Sequence, residues 1–123
     1  GNVGTSCWFI GWKILQCTKI ALIGIDHSWK EQDSWEKILS HCKIPLDAEI
    51  DNSLKQKLFP KINNPEFNCT CVLDPIFQYY SNALKEFIQR SPTDVTTINA
   101  TEGGCIFGDR ITCLQFSDFL KQN

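Results

Sequence analysis

One apolar run, KIALIGID at residues 19–26, constrains the fold more than any other part of this 123-residue chain. A short and nearly continuous apolar run is typical of a strand buried on both faces. Apolar residues with helical spacing precede it from Thr5 to Cys17, and Thr5 or Ser6 is the predicted N-cap. A helix that leads into a buried strand predicts a βαβ unit and therefore a parallel sheet.

The strongest helix pattern is DPIFQYYSNALKEFIQR at residues 74–90, with Asp74 as N-cap and Pro75 at the first helical position. Its predicted apolar face comprises Ile76, Tyr80, Leu84, Phe87 and Ile88. Strands are predicted at 69–73, 94–99 and 111–113, and short helices at 34–42, 51–59 and through Phe116, Phe119 and Leu120. Within 34–42, Trp35 and Ile38 are predicted to point inward.

The domain organisation follows from length and from how the chain begins. Residues 1–123 fit one domain, in which the proline-punctuated segment 30–68 is predicted to be a lid or insertion. The chain starts on a glycine-rich turn without a methionine, where a strand normally precedes such a turn. We therefore expect the C-terminal half of a Rossmann-like, three-layer α/β domain with a mainly parallel sheet. Such a half is expected to be inactive alone and to self-associate through exposed apolar surface.

Charge and cysteine content exclude several classes of protein. A net charge of −2 gives no electrostatic reason to expect nucleic acid or an anionic membrane as a partner. No apolar run approaches the roughly 20 residues that span a bilayer. The seven cysteines are an odd number and mostly lie in apolar segments, which favours reduced thiols over a disulfide framework. A cytoplasmic location is the expectation from this pattern.

Three unusual loops fall where predicted parallel strands end, at residues 1–4, 26–28 and 99–104. Ligands of open parallel sheets bind outside the carboxyl ends of the strands, so these loops predict one shared site. Backbone N–H groups of a glycine turn at a helix N-terminus favour an anion. Asp26 and Glu102 are candidate ligands for a Mg²⁺ ion that bridges phosphates.

The candidate site residues divide by role. The catalytic candidates are Asp26, His27 and Glu102, of which Asp26 and Glu102 also form the metal candidates. The candidates for cofactor binding are Gly1, Asn2, Gly4, Thr5, Asn99, Thr101 and Gly103.

Each of these residues also has a purely structural interpretation. GNVG lacks the lysine of a Walker loop and the full dinucleotide fingerprint, and alone it is more often an ordinary turn. In the simpler interpretation, Asp26 only caps the segment that follows its strand. A lone histidine such as His27 more often makes a structural hydrogen bond. Residues 102–104, Glu-Gly-Gly, suit a tight turn.

The ordered set GNVG, IALIGIDHSW, INATEGGCIFGD and a closing FSDFL helix resembles the 6-hydroxymethylpterin diphosphokinase MptE-like family. The same family domain occurs in motility-associated glycosyltransferases that modify flagellins. The resemblance spans nearly the whole chain and is weakest across 30–68. It implies a Rossmann-like domain with a nucleotide phosphate near Gly1, Asn2 and Gly4.

The resemblance implies two activities. One branch transfers diphosphate from ATP to the alcohol of a hydroxymethyl-dihydropterin with Mg²⁺; the other is a glycosyltransferase that uses a CMP-activated nonulosonic acid. The first needs mainly positioning and charge neutralisation. The second needs a base for the acceptor hydroxyl, for which His27 is the better placed histidine. A nucleotide-binding domain without catalysis is the third hypothesis.

Overall fold

Five helices and six strands form within residues 2–43 and 52–122, the part of the chain that this computed structural model describes. The helices are α1 (Val3–Lys13), α2 (Trp35–Cys42), α3 (Asn52–Leu58), α4 (Pro75–Arg90) and α5 (Phe116–Lys121). The strands are β1 (Lys19–Leu22), β2 (Trp29–Lys30), β3 (Lys61–Asn64), β4 (Cys69–Val72), β5 (Thr96–Asn99) and β6 (Ile111–Cys113).

The first sheet is parallel and three-stranded, in the order β1-β5-β6. Lys19 lies opposite Thr96 on β5, and Thr97 of β5 lies opposite Ile111 on β6. The predicted mixture of helices with a parallel sheet is therefore confirmed. The carboxyl ends of β1 and β5 meet at one edge, where the second and third predicted loops begin.

The prediction that the 19–26 run is buried on both faces is wrong. The strand stops at Leu22, and within the described residues β1 pairs only with β5. Lys19 is exposed, the next two residues are partly buried and Leu22 alone in the strand is fully buried, so other elements cover the faces of β1 only in part. Ile23 is 55% exposed, whereas Ile25 packs against the core after the strand has ended.

Helix α1 begins earlier than predicted. Asn2, not Thr5 or Ser6, is the N-cap, because its side chain accepts a hydrogen bond from the backbone N–H of Thr5. The helix packs on the sheet through Trp8, whose indole N–H donates to the Thr97 hydroxyl at 3.0 Å in the buried core. A Cβ on Gly11 would lie at ordinary van der Waals distance from the Ile20 side chain. The helix ends at Lys13, before the apolar pattern does.

The second sheet is antiparallel, in the order β2-β4-β3, and confirms the strand predicted at 69–73. Much of it comes from the segment predicted as a lid or insertion, which also supplies α2 and α3. Ile38, Phe59 and Val72 form its buried cluster. Ser34 caps α2 and Ile38 is buried as predicted, whereas Trp35 contacts the buried Phe59 ring but stays 39% exposed. Residues 44–51, including the predicted start of the 51–59 helix, lie outside the described residues.

Helix α4 joins the two sheets. Asp74 is its N-cap and Pro75 occupies its first turn, both as predicted. Leu84 and Ile88 are fully buried, whereas Ile76 and Phe87 of the predicted apolar face are 52% and 40% exposed. These exposures show that the buried stripe is narrower than predicted.

No helix within the described ranges combines the length and apolar character needed to cross a membrane.

Candidate functional site

A cleft of about 610 Å³ opens at the carboxyl ends of β1 and β5, between the two sheets. Loops that follow the parallel strands form one wall, and β2, β4 and the start of α2 form the other. Its lining residues are Asp26, Ser28, Trp29, Lys30, Gln32, Asp33, Lys37, Cys69, Thr70, Cys71, Thr101, Glu102, Gly103 and Gly104. Two of the three predicted loops therefore share one cavity.

Hydrogen bonds and one very close approach hold these two loops together. The Thr101 hydroxyl accepts from the Ile25 N–H at 3.2 Å, and the Cys105 N–H donates to the Asp26 carbonyl at 3.0 Å. A Cβ on Gly104 would lie 2.6 Å from the Asp26 Cα. A Cβ on Gly103 would lie 3.8 Å from Asp26 Oδ1. The Asp26 carboxylate therefore lies close to the turn that carries Glu102.

Charges of both signs face the cleft. Asp26 and Glu102 are exposed carboxylates on the wall formed by the parallel strands. On the opposite wall, Lys37 Nζ lies 3.2 Å from Asp33 Oδ1, and the Lys30 N–H donates to Asp33 Oδ2 at 2.9 Å. The pKa of Asp33 is lowered first by that backbone N–H and then by the Lys37 ammonium. The cleft therefore offers carboxylates for a cation beside ammonium groups for an anion.

His27 adjoins Asp26 in the chain but is not among the residues that line the cleft. Its ring stacks on Phe77 with 6.3 Å between ring centroids and lies 6.0 Å from the Tyr80 ring. Its Nδ1 is buried and has no hydrogen-bond partner among the described residues. Burial lowers the pKa of His27, opposed by the Asp26 carboxylate. The ring therefore packs against α4 as a neutral aromatic group.

The predicted glycine turn borders a different cavity, which Val3 and Gly4 line together with Ile23 and Ile25. Asn2 and Thr5 satisfy each other, since Asn2 accepts from the Thr5 N–H and donates to its hydroxyl, both at 3.0 Å. Gly4 allows α1 to approach Ile25, where a Cβ would come within 2.9 Å of that side chain. Gly1 lies outside the described residues. None of the described residues of this turn lines the cleft.

Asn99 has a bracing role at the end of β5. It is fully buried, donates to the Ile106 carbonyl at 2.6 Å and accepts from the Thr101 N–H at 2.9 Å. These bonds fix the turn that presents Thr101, Glu102 and Gly103 to the cleft.

Sequence reasoning missed the second wall of the cleft. Its charged and thiol side chains are Lys30, Asp33, Lys37, Cys69 and Cys71. The Cys-Thr-Cys spacing in a predicted strand gave one signal, because alternate residues of a strand share a face. The lysines gave none, since they come from a segment whose antiparallel pairing has no short-range signature.

Asp26 and Glu102 suit a Mg²⁺ site in which the protein supplies only one or two of the ligands. The described residues contain no group of three or more acidic, thiol or imidazole side chains placed to hold a metal. Mg²⁺ commonly keeps several waters and binds through one or two carboxylates plus the phosphates of a substrate. Two carboxylates in an open polar cleft suit that mode and not an all-protein cage.

Comparison of the chain with known protein families, curated proteins and solved structures finds no match. The resemblance to the MptE-like family therefore stays a prediction, and the proposals below depend on the geometry of the cleft.

Proposed function

We propose that the cleft binds a nucleoside triphosphate with Mg²⁺ and that the protein transfers a diphosphoryl group from ATP to an alcohol. One observation carries the proposal. Asp26 and Glu102 follow two adjacent parallel strands and face one cavity, whose other wall carries Lys30 and Lys37. That edge of an open parallel sheet is where phosphate-bearing ligands bind.

Each group has a definite role in this proposal. Asp26 and Glu102 would hold the hydrated Mg²⁺, which neutralises charge on the phosphates when it is bound. Lys30 would pair with phosphate oxygens as a mobile point charge, and Lys37 would add positive charge nearby while it stays paired with Asp33. The backbone N–H of Gly103 would donate to the same oxygens, on a turn that the Thr101 hydrogen bonds to Asn99 and Ile25 hold in place. Phosphoryl transfer depends mostly on positioning and charge neutralisation, so these groups suffice for the protein's part.

The position of the His27 ring bears on which of the possible functions, diphosphoryl transfer, glycosyl transfer or nucleotide binding alone, the cleft supports. Transfer from a CMP-activated nonulosonic acid needs a base for the acceptor hydroxyl, and the His27 ring is packed against Phe77 and Tyr80 instead. The same observation favours a second candidate function, nucleotide binding without catalysis. Measured turnover of bound ATP separates that candidate from diphosphoryl transfer.

Isothermal titration of the protein with ATP tests the proposal, with Mg²⁺ present and with EDTA in its place. We expect binding that depends on Mg²⁺ and that weakens about tenfold or more in Asp26→Asn, which keeps the shape and removes the charge. Asp94→Asn is the matched control, because Asp94 is an exposed carboxylate before the amino-terminal end of β5.

Equal ATP affinity with Mg²⁺ and with EDTA would contradict the metal role. Loss of binding to the same degree in Asp94→Asn would show that the effect is not local to the cleft. A CMP-sugar that binds where ATP does not would replace diphosphoryl transfer with glycosyl transfer.

A further inference from the structure

Two thiols lie side by side on the β4 wall of the cleft. Cys69 and Cys71 are two residues apart on one strand, so their side chains project from the same face, and both line the cavity. Cys69 is partly exposed, whereas Cys71 is only 2% exposed. One thiol is therefore open to reagents from the cleft, and the other lies behind it.

The two thiols influence each other electrostatically. Burial is the main cause that raises the pKa of Cys71, and the neighbouring Cys69 side chain raises it further. The Ser28 hydroxyl acts in the opposite direction. Both thiols lie on the wall that faces Asp26.

The geometry of the strand determines how strained a disulfide between Cys69 and Cys71 would be. Alternate Cα atoms of a strand lie about 6.6–6.8 Å apart, and disulfides span about 4.4–6.8 Å. A Cys69–Cys71 bridge therefore needs β4 to bend locally. Strain of this kind makes a disulfide easier to reduce, which is the property of a reversible bridge and not of a structural one.

We propose that Cys69 and Cys71 form a reversible disulfide by exchange with a low-molecular-weight disulfide such as oxidised glutathione, and that the bridge weakens binding of phosphate-bearing ligands in the cleft. The second half rests on the proposed function. The first half concerns this chain's own thiols and stands or falls separately.

The exchange proceeds in two steps. The Cys69 thiolate attacks one sulfur of the small disulfide, forms a mixed disulfide and releases one thiolate. The Cys71 thiolate then attacks the Cys69 sulfur, closes the bridge and releases the second thiolate. The two protons lost by the cysteines go to the two released thiolates, so the protein loses two electrons and the small disulfide gains them.

Register links this bridge to the cationic wall of the cleft. Cys71 pairs with Lys30 of β2 on one side and with Ile62 of β3 on the other. β2 has only two residues, and Trp29 pairs with Val72. A bend of β4 at Cys71 therefore shifts Lys30, which lies directly across the ladder and lines the cleft.

Peptide mapping tests the bridge. The protein is incubated with oxidised glutathione, alkylated and cleaved with trypsin. The 62–85 peptide contains Cys69 and Cys71 and no other cysteine. We expect this peptide to lose two hydrogens, to resist alkylation and to recover both thiols after dithiothreitol. Two alkyl groups on the peptide, or a lasting glutathione adduct, would overturn the proposal.

Two variants locate the effect. Cys69→Ser removes the accessible thiol and is expected to abolish the loss of two hydrogens. Cys7→Ser is the matched control, because Cys7 is an exposed thiol on α1, away from the cleft lining. Cys7→Ser is expected to form the bridge to the same extent as the unchanged protein, and loss of the bridge in Cys7→Ser would contradict the assignment.

Titration of the oxidised protein with Mg²⁺ and ATP tests the consequence. We expect affinity about tenfold or more weaker than in the reduced protein, restored by dithiothreitol. Unchanged affinity with the bridge formed would overturn the second half alone. If the reduced protein binds no nucleotide, the proposed function and that second half fail together, while the peptide mass still decides the bridge.

Discussion

Gly104 allows the two loops of the cleft to meet. Its φ is +80°, and a Cβ there would lie 2.6 Å from both the Cα and the carbonyl oxygen of Asp26. Neither obstacle is the end of a flexible side chain, so the backbone of one loop must move to admit a methyl group. The position of Asp26 in the cleft thus depends on the absence of a side chain at Gly104, which seven helices and strands separate from Asp26 in the sequence.

We therefore expect Gly104→Ala to destabilise the protein by about 3 kcal/mol, from left-handed strain plus overpacking. Gly24→Ala is the matched control, because Gly24 has a φ of +72° with nothing within 4 Å. Its expected cost is about 1 kcal/mol, from strain alone. Urea unfolding measures both, and equal costs would show that the loops yield easily.

Cys105 predicts how stability depends on alkaline pH. It is 1% exposed, and burial raises its pKa from 9.0 to about 11. The folded state favours the neutral Cys105 thiol. The contribution of this thiol to the free energy of unfolding is therefore complete below pH 9 and is lost as pH rises from 9 towards 11. Two pKa units correspond to about 2.7 kcal/mol.

Cys105→Ala tests this prediction by urea unfolding at pH 8 and pH 10.5. The variant should be less stable at pH 8 because a buried sulfur is removed, yet its stability should fall less between the two pH values. An identical fall in both proteins would mean that Cys105 does not titrate in this range. Cys42 and Cys113, whose pKa values are also raised to about 11, and Cys71, whose pKa burial raises, contribute to the remaining decline.

At the scale of elements, Asp74 connects α4 to the second sheet. Its carboxylate accepts from the Phe77 N–H at 2.7 Å, from the Trp29 indole N–H at 2.9 Å and from the Cys42 thiol at 3.3 Å. The residue is 2% exposed. The N-cap was evident from the sequence, since Asp-Pro precedes an apolar helical pattern. Its two long-range partners were not, because they arrive through tertiary pairing.

Asp74→Ala should therefore cost more than the loss of an ordinary N-cap, which is about 1 kcal/mol. We expect about 3 kcal/mol, because the Trp29 and Cys42 donors lose their acceptor in a buried place. Asp118→Ala in α5 is an exposed helical control. Thermal and urea unfolding measure both variants, and a cost near 1 kcal/mol for Asp74→Ala would mean that water replaces the lost acceptor.

Elements with strong local patterns could be predicted, whereas their partners could not. The α4 and β4 patterns gave helix and strand in nearly the observed places. The start of α1 was misplaced, because Asn2 competes with Thr5 as a cap and only the side-chain geometry decides. The burial of β1 was overestimated, because an apolar run shows what a strand prefers to contact and not whether a neighbour is present.

At the scale of the whole molecule, the cleft lies between two sheets of different kinds. The parallel-strand wall with Asp26 and Glu102 was predicted, since carboxyl ends of parallel strands meet at one edge. The antiparallel wall was not predicted, because β2 pairs with β4 across a long stretch of sequence and because β3, which a short turn joins to β4, carries no apolar strand pattern. Half of the candidate site was therefore visible from the sequence alone.

The most direct test of the central claim maps where a nucleotide binds. Amide chemical shifts of the ¹⁵N-labelled protein are followed during titration with ATP and Mg²⁺. We expect the largest changes at residues 26–33 and 101–104 on the two walls of the cleft. Changes confined to residues 2–5 would place the phosphates at the α1 turn instead, and no saturable change anywhere would contradict nucleotide binding.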